Sequence, residues 1–338
     1  MTQRRSIIAG AGIGVPSKRL TNRDLELLVD TTEQWIVERT GINERRIASA
    51  DQATTDLAEE AAREALRDAG ISPTELDLIV LCTVGPDHMV PPSSCLLQHR
   101  LGARNAAAFD INAACSGFLY GLAVADQFIS TGKFKRVLLV GAETLSRVTD
   151  YGDRSTCVLF GDGAGAAVLV PASGDGGILS FCLGSDGSGA ELLYIPAGGS
   201  RLPASEETVK GRMHFIRMKG NEVFKLAVRA MVRSVDEALE QAGLTRQDID
   251  LVIPHQANRR IIEACAERLG VPDEKVVINI DRYGNTAAAS IPIALAEARK
   301  ASLLTDGQIV VFVGFGAGLT WGSAVLRWEE WNGNGAWT

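Results

Sequence analysis

The sequence has few of the residues on which many metal, redox and disulfide-bonded sites depend. It contains six cysteines and four histidines among 338 residues. No two cysteines stand in the CxxC spacing of a zinc or redox pair. A chain this long can bury large apolar cores, so it does not need a disulfide framework. The cysteine pattern therefore indicates a protein of a reducing compartment, the cytoplasm.

The sequence also lacks a long apolar segment and an excess of positive charge. No run is long enough to span a membrane, and the N-terminal apolar run is short and interrupted by glycines, which argues against a signal peptide. The net charge of −7 argues against a nucleic acid as the main partner. Hydrophobic residues make up 46% and charged residues 22%, as in soluble globular proteins. We therefore expect neither a membrane nor a nucleic-acid partner.

An internal repeat organises the chain. Ala65–Val80 aligns without gaps with Ala238–Ile253, at an offset of 173 residues (238 − 65). The same offset aligns VLLVGA at Val137 with VVFVGF at Val310. Two distant segments at one offset indicate a duplicated domain.

The repeat predicts two similar halves, 1–173 and 174–338. Apolar strands alternate with amphipathic helices in each half, and the clearest helix spans Thr54–Ala69. This alternation indicates βαβ-like units, so we predict an α/β protein in which mixed sheets are covered by helices.

Cys115 stands where a predicted buried strand, Ala106–Ile111, turns into an apolar helix that contains Phe118. The partial positive charge of a helix N-terminus lowers the pKa of a thiol and favours the reactive thiolate. A lone cysteine is more often a buried structural residue. The position alone therefore makes Cys115 a candidate nucleophile that needs partners.

Two polar residues of the second half are candidate partners of this thiol. The repeat pairs Cys115 with Ala288, so two corresponding strand-to-helix turns would meet and bring Asn285 near the thiol. His255 follows a predicted strand, at the end where α/β proteins bind ligands, and a neutral imidazole there can donate a hydrogen bond or move a proton. The alternatives are a turn asparagine and a structural histidine. A Cys–His pair also fits a papain-like hydrolase, against which the duplicated α/β pattern argues.

Two glycine-rich motifs also have more than one interpretation. GDGAGA at 161–166 resembles a dinucleotide fingerprint in letters only, because a strand rather than a helix follows it. We predict a tight turn there that allows close backbone packing. GFGAG at 314–318 is either a turn between two strands or a backbone segment that closely approaches a ligand.

The remaining candidates are flat or charged side chains on predicted surface elements. Trp35 and Arg39 share one short helix, and with Arg154 they can hold an adenine and phosphates, although tryptophan is more often part of a core. Lys225 begins a basic stripe at intervals of four residues. A solvated helix face is the ordinary interpretation of such a stripe, and the alternative is a patch for an acidic partner. The patch would comprise Lys225, Arg229, Arg233, Arg259, Arg260 and Arg268.

Several motifs together resemble one known family. The segments DINAACSGF around Cys115, PHQAN around His255 and YGNTAAASIP around Asn285 resemble the active-site segments of 3-oxoacyl-[acyl-carrier-protein] synthase III. The resemblance runs from about Ile8 to Arg327. It implies the thiolase fold, in which two βαβαβαββ halves stack as α-β-α-β-α layers, and it implies a homodimer.

The resemblance also implies a reaction, the decarboxylating Claisen condensation that starts type II fatty-acid synthesis. An acyl-CoA primer would acylate Cys115, and malonyl-acyl-carrier protein would then enter. His255 and Asn285 would stabilise the enolate that forms as CO2 leaves, and the backbone N–H groups of Cys115 and Gly316 would form the oxyanion hole. The family implies no metal and no permanently bound cofactor, since acyl-CoA is a substrate.

The binding residues follow from the same resemblance, with Trp35 and Arg154 on either side of the adenine. Val90 takes a position at the dimer interface that can hold a larger aromatic residue and that bounds the acyl pocket, so we expect room for a longer or branched primer. The predicted CoA-binding residues are Thr31, Trp35, Arg39, Arg154, Gly220, Phe224, Ala257 and Asn258. The predicted carrier-protein-binding residues are Gln256, Ala257, Asn258, Arg259, Arg260, Lys225, Arg229 and Arg268.

Besides Val90, a second departure from the family and two alternatives remain at this stage. The tail Trp328–Thr338 extends past the family's expected end, and we predict that it frays. A homologue of the same fold that primes a polyketide or transfers an acyl group elsewhere would carry the same Cys, His and Asn. A non-catalytic acyl-CoA-binding protein is the third possibility, although binding alone needs no nucleophile.

Overall fold

The computed structural model describes residues 5–333. Its strands are β1 (Ser6–Gly14), β2 (Arg19–Thr21), β3 (Glu44–Arg46), β4 (Leu78–Cys82), β5 (Ala107–Ile111), β6 (Val137–Thr144), β7 (Asp162–Pro171), β8 (Gly177–Ser185), β9 (Leu193–Tyr194), β10 (Arg217–Met218), β11 (Leu251–Pro254), β12 (Ile309–Gly316) and β13 (Thr320–Arg327). Its helices are α1 (Asn22–Glu26), α2 (Glu33–Thr40), α3 (Thr54–Ala69), α4 (Ser93–Leu101), α5 (Gly117–Ser130), α6 (Arg154–Cys157), α7 (Glu206–Lys210), α8 (Gly220–Gln241), α9 (Arg259–Leu269), α10 (Ile280–Tyr283) and α11 (Ser290–Lys300).

Two mixed sheets share one topology. The first sheet has the order β1-β7-β6-β4-β5, with β4 parallel to both of its neighbours and β7 antiparallel to both of its own. The second has the order β8-β13-β12-β11, with β11 parallel to β12 and the other pairs antiparallel. Each strand of the second sheet thus corresponds in order and direction to one of the first. The predicted duplication is present in the fold, whereas the exact division at residue 173 stays a prediction.

The layers place two helices between the sheets. α5 contacts strands of both sheets, and α11 contacts β1, β6 and β7 of the first and β11 of the second. Residues of these two helices, such as Phe118 and Leu295, lie in one buried cluster with residues of both sheets. α3 and α4 cover the outer face of the first sheet, and α8 and α9 cover that of the second. The predicted α-β-α-β-α thiolase fold is therefore confirmed.

Local sequence signals fix several element ends. The helix predicted over Thr54–Ala69 spans those residues and stops at Gly70, which adopts φ 67°. Thr21 caps α1 in the predicted capping box, with its side chain accepting from the Asp24 N–H while the Asp24 carboxylate accepts from the Thr21 N–H. These boundaries depend on contacts between near neighbours, which the sequence displays directly.

Two local predictions are wrong. Residues 161–166 do not form a turn, because β7 begins at Asp162 and contains most of the motif. The predicted close packing is present, since a Cβ on Gly165 would lie 2.5 Å from the backbone nitrogen of Ile293. Strand β5 is only half-buried, not buried, because it lies at the edge of the first sheet, where β4 is its one paired strand within residues 5–333.

The predicted fraying of the C-terminal tail is also wrong for residues 328–331. Trp328 is buried, and the Trp331 indole N–H donates to the carbonyl of Ala69 at 2.9 Å. The Glu329 carboxylate accepts from the backbone N–H groups of Ser173, Gly174 and Gly176 at 2.9 to 3.3 Å. This segment therefore joins the linker between the two sheets to the end of α3. The rest of the predicted tail, 334–338, lies outside the described residues.

Candidate active site

Cys115 lies in the single turn that leads from β5 into α5. Ala114 begins this turn with a left-handed backbone, φ 48°. Thr320 of β13 holds the turn from the other sheet, because its hydroxyl donates to the Ala113 carbonyl at 3.0 Å while its own carbonyl accepts from the Ser116 hydroxyl at 3.2 Å. The thiol is thus buried at a helix start that both halves of the fold hold in place.

His255 lies at the carboxyl end of β11. Its backbone N–H donates to the Val313 carbonyl at 2.8 Å, and its Nδ1 lies 2.6 Å from the Ser290 hydroxyl oxygen. Burial lowers the pKa of His255 to about 3, since removal of water disfavours the charged ring. At neutral pH the imidazole is therefore uncharged, and its Nε2 remains for a ligand.

Asn285 lies in the turn that precedes α11. Its backbone N–H donates to the Leu159 carbonyl at 2.9 Å, and its carbonyl accepts from the Gly161 N–H at 3.0 Å. Its side-chain oxygen accepts from the Ala287 N–H at 2.9 Å. Because the oxygen is engaged, the amide presents its NH2 group, a hydrogen-bond donor, to its surroundings.

The two turns that the repeat pairs are in direct contact. A Cβ on Gly117 would lie 3.4 Å from the Cβ of Ala288, and a Cβ on Gly141 would lie 2.3 Å from the Ala288 carbonyl oxygen. Gly316 packs against the same place, because its Cβ would lie 2.7 Å from the backbone nitrogen of Cys115. Only glycine allows the backbone of β12 to approach the nucleophile this closely.

One cavity of about 530 Å³ unites these residues. Cys115, His255 and Asn285 line it together with Gly316. Most of the predicted CoA-binding residues also line it, namely Trp35, Arg39, Gly220, Phe224, Ala257 and Asn258, whereas Thr31 and Arg154 do not. The sequence interpretation missed its apolar wall, which includes Phe160, Leu193, Met218, Met231 and Phe315.

The thiol itself does not behave as the helix position predicted. Burial first, and then the negative charge of Glu143, raise the pKa of Cys115 to about 12. The prediction that the helix N-terminus favours a thiolate is therefore wrong for the unliganded protein. Removal of water from the buried sulfur disfavours its charged form, and the backbone hydrogen bond that lowers the pKa has a smaller effect.

Glu143 is a second site residue that the sequence interpretation missed. It is fully buried at the end of β6, and its carboxyl group accepts from the Thr83 hydroxyl and the Val84 N–H, each at 3.2 Å. Burial raises its pKa to about 8, so it is mostly protonated at neutral pH, and its negative charge opposes a Cys115 thiolate once the pH rises above that value. An acid directly after an apolar strand, as in VLLVGAE, is the signal that could have identified it.

Trp35 and Arg154 contact each other directly. The Arg154 guanidinium lies 4.9 Å from the centre of the Trp35 ring, and it also donates to the Asp30 carbonyl at 2.7 Å. Trp35 is only half-buried, and it packs against the edge of a buried cluster that includes Ile36 and Leu159. An adenine between the two would require the guanidinium to swing outward.

The predicted docking residues divide into two groups. Lys225 and Arg260 are exposed at the cavity, and the Arg260 guanidinium lies 5.6 Å from the Phe224 ring. In contrast, Arg259 pairs with Glu263 at 2.8 Å. Arg268 lies at the far end of α9, about 12 Å along the axis from Arg260.

Gln256 cannot belong to a docking surface, because it is 1% exposed. Its side-chain nitrogen donates to the carbonyls of Pro254 and Val277, and its oxygen accepts from the N–H groups of Asn279 and Ile280. With all of its polar groups satisfied inside the protein, Gln256 is a structural residue beneath the site. The prediction that it contacts a carrier protein is corrected accordingly.

Val90 does not line the cavity of its own chain. It is 84% exposed, and its neighbour Met89 is similarly exposed. A role for Val90 at an acyl pocket would therefore require a second chain.

Three further features bear on ligands and environment. No helix within residues 5–333 is long and apolar enough to cross a membrane. Within the same residues, no group of three or more His, Cys, Asp or Glu side chains is arranged to hold a metal ion. All six cysteines are unpaired.

The fold and the site together define a class of protein. A buried cysteine at a helix start, a neutral histidine and an oriented amide share one cavity at the contact of two similar halves. This arrangement, on a thiolase fold, defines an acyl-transferring condensing enzyme.

Comparison with known proteins gives the family within that class. Residues 109–187 match the family described as 3-oxoacyl-[acyl-carrier-protein (ACP)] synthase III, and residues 239–328 match its C-terminal family. The chain is 56% identical over 323 residues to beta-ketoacyl-[acyl-carrier-protein] synthase III of Caldanaerobacter subterraneus subsp. tengcongensis, covering 96% of this chain and 98% of that one. The chain belongs to the 3-oxoacyl-[acyl-carrier-protein] synthase III family.

Solved structures agree with this assignment. The crystal structure of 3-oxoacyl-[acyl-carrier-protein] synthase III from Aquifex aeolicus VF5 is 50% identical, with a TM-score of 0.89, and the match covers 96% of this chain and all of that one. The priming beta-ketosynthase of a polyketide biosynthetic pathway has the same TM-score at 38% identity, with 97% of this chain and 98% of that one covered.

Proposed function

We propose that this enzyme condenses an acyl-CoA primer with malonyl-acyl-carrier protein to start type II fatty-acid synthesis, with Cys115, His255 and Asn285 as its catalytic residues. One observation carries the proposal: a nucleophile and two hydrogen-bond donors line one cavity, and a neighbouring group fixes the orientation of each donor. A binding protein would need no nucleophile, and a cysteine hydrolase would need a histidine that takes up the thiol proton, whereas burial keeps His255 neutral.

In the first half-reaction, the sulfur of Cys115 attacks the thioester carbonyl of the primer. The C–S bond to coenzyme A breaks, the acyl group remains on Cys115, and the thiol proton leaves on coenzyme A. Because the pKa of the free thiol is raised to about 12, the resting enzyme is a thiol and loses its proton only as the attack occurs. The N–H groups of Cys115 and Gly316 would stabilise the oxyanion.

In the second half-reaction, malonyl-carrier protein loses CO2. The electron pair of the broken C–C bond passes into the thioester as an enolate, whose oxygen accepts from His255 Nε2–H and Asn285 Nδ2–H. The enolate carbon then attacks the acyl carbonyl, and the Cys115 thiolate leaves and takes up a proton. A neutral histidine suits this role, since its N–H donates without first having to gain a proton.

The residues at the cavity mouth would bind coenzyme A and the carrier protein. We propose that coenzyme A lies along Trp35, Arg39, Phe224 and Asn258, and that Arg154 moves to cover the adenine on Trp35. The exposed cations Lys225, Arg229 and Arg260 would attract the acidic carrier protein.

We also propose a cytoplasmic homodimer. The edge strand β5 is half-exposed, and Met89 and Val90, in the loop between β4 and α4, are highly exposed. Pairing of two β5 edges would cover this surface and would bring Val90 of one protomer towards the acyl pocket of the other. The six unpaired thiols fit a reducing compartment.

A second candidate function is the priming of a polyketide, which the similarity to the priming ketosynthase favours. The fatty-acid relatives are more similar, at 56% and 50% identity against 38%. We therefore give fatty-acid initiation precedence.

Intact-mass spectrometry tests the proposal. Wild-type protein with acetyl-CoA and branched acyl-CoAs should gain one acyl group, and Cys115→Ser should gain none. When malonyl-carrier protein is added, the enzyme should lose its acyl group. CO2 and 3-oxoacyl-carrier protein should form at the same time. His255→Ala and Asn285→Ala should still acylate but release CO2 at least about 100-fold more slowly. A Cys115→Ser protein that acylates at normal yield would overturn the assignment.

A further inference from the structure

Ser290 is the closest polar neighbour of the catalytic imidazole, and the mechanism above gives it no role. Its hydroxyl oxygen lies 2.6 Å from His255 Nδ1, and it is buried in the first turn of α11. We infer that Ser290 is a positioning residue that holds His255 in the tautomer with its proton on Nε2. The inference rests on the proposed function, because that tautomer matters only if Nε2–H acts as a donor.

The hydrogen bonds around Ser290 assign the direction of this contact. The Gln256 N–H donates to the Ser290 oxygen at 3.3 Å. Within residues 5–333, the structure gives the Ser290 hydroxyl proton one acceptor, His255 Nδ1. If Nδ1 carried the proton instead, the oxygen would receive two N–H groups and the buried hydroxyl would have no acceptor, which is costly.

Gln256 explains why this arrangement is fixed. Its side chain makes four hydrogen bonds to the backbone of residues 254, 277, 279 and 280. These bonds anchor the peptide that follows His255, so the Gln256 N–H faces Ser290 in one orientation. The Gln256 N–H thus occupies one acceptor site of the Ser290 oxygen, and the Ser290 hydroxyl proton remains available to the imidazole.

The ring is sensitive to this bond because it is neutral. Burial lowers the pKa of His255 to about 3, so two neutral tautomers compete at working pH. With Nδ1 accepting, Nε2 keeps its proton and can donate to an enolate oxygen. With Nδ1 protonated, Nε2 would present a lone pair to that oxygen and repel it.

Asn285 has an analogous arrangement. The Ala287 N–H occupies its side-chain oxygen and leaves its NH2 group towards the cavity. Both orienting groups, Ala287 N–H and Ser290 O–H, belong to one short turn and helix start. This segment therefore fixes the polarity of both catalytic donors, and Ser290 is the member that a side-chain substitution can remove.

The first test reads the tautomer directly and needs no substrate. Nitrogen-15 NMR of the histidine-labelled protein, with His255→Ala used to assign the signal, should show a proton on Nε2 of His255 in the wild type. Ser290→Ala should give a mixture or the Nδ1–H form, and Ser290→Thr, which keeps the hydroxyl, should restore Nε2–H. A wild-type Nδ1–H signal, or an unchanged Nε2–H signal in Ser290→Ala, would overturn the inference.

The second test measures the consequence. Ser290→Ala should lower kcat for CO2 release from malonyl-carrier protein by about 10- to 100-fold, with little change in KM, because the donor acts mainly in the transition state. Acylation of Cys115 by acyl-CoA should stay within about 3-fold of wild type. Equal loss in both half-reactions would indicate a structural role and contradict the inference. If the wild type shows Nε2–H but does not condense, the proposed function fails while the tautomer assignment stands.

Discussion

Ala114 and Ala287, which stand 173 residues apart, share one left-handed backbone conformation, with φ of 48° and 41°. Ala114 begins the single turn before α5, and that turn contains Cys115. Ala287 begins the single turn before α11, whose first residue is Ser290. The duplication thus extends to individual dihedral angles at the active site. A residue with a side chain adopts this conformation only at an energetic cost. Both halves of the protein nevertheless have an alanine rather than a glycine at this position.

This relationship predicts an unusual response to glycine. Ala114→Gly and Ala287→Gly should change the free energy of unfolding by no more than about 0.5 kcal/mol, because relief of the left-handed strain offsets the added freedom of the unfolded chain. Ala230→Gly, in the middle of α8, should lower it by about 1 kcal/mol. Urea unfolding of the three variants makes the comparison. Equal losses at all three positions would contradict it.

The positions of the cations predict where the carrier protein docks. Arg229→Glu with Arg260→Glu should lower kcat/KM with malonyl-carrier protein by about 10-fold at low salt, and by clearly more than it lowers kcat/KM with malonyl-CoA. Arg268→Glu, at the far end of α9, is the control for each single variant, Arg229→Glu and Arg260→Glu, since each of the three substitutions changes the charge by the same amount. The deficit should shrink in high salt. A similar loss with Arg268→Glu would place the docking surface elsewhere.

The C-terminal segment predicts a stability effect without a catalytic effect. Glu329→Gln should lower the free energy of unfolding by about 1 to 2 kcal/mol, because the carboxylate accepts from three backbone N–H groups through both oxygens. Glu330→Gln should cost less than about 0.5 kcal/mol, since the exposed Glu330 lies 3.8 Å from Arg299. Chemical unfolding and acylation rates measure the two effects. A Glu329→Gln enzyme that is stable but slow would refute this account.

The raised pKa of Glu143 predicts how the free energy of unfolding depends on pH. Its pKa is about 8 in the folded protein and 4.5 ordinarily. Between these values the folded protein holds a proton that the unfolded chain has released, so the free energy of unfolding falls as pH rises towards 8. The slope is at most about 1.4 kcal/mol per pH unit.

Glu143→Gln removes this titration and provides the control. Between pH 5.5 and 7.5, the free energy of unfolding should fall by roughly 2 kcal/mol more in the wild type than in Glu143→Gln. Urea unfolding at each pH measures it. Parallel curves for the two proteins would mean that Glu143 is ionised throughout this range.

The sequence by itself determined the duplication, the helix over Thr54–Ala69 and the positions of Cys115, His255 and Asn285 beside strand ends. These depend on periodicity, caps and motif letters, which are properties of near neighbours in the chain. Only the tertiary structure decided the rest. Cys115 and Glu143 hold their protons because distant segments exclude water from them, Gln256 is buried rather than at the surface, and Glu329 is bound to a linker more than 150 residues away. Burial and hydrogen-bond partners depend on which remote segments meet, and no local pattern records that.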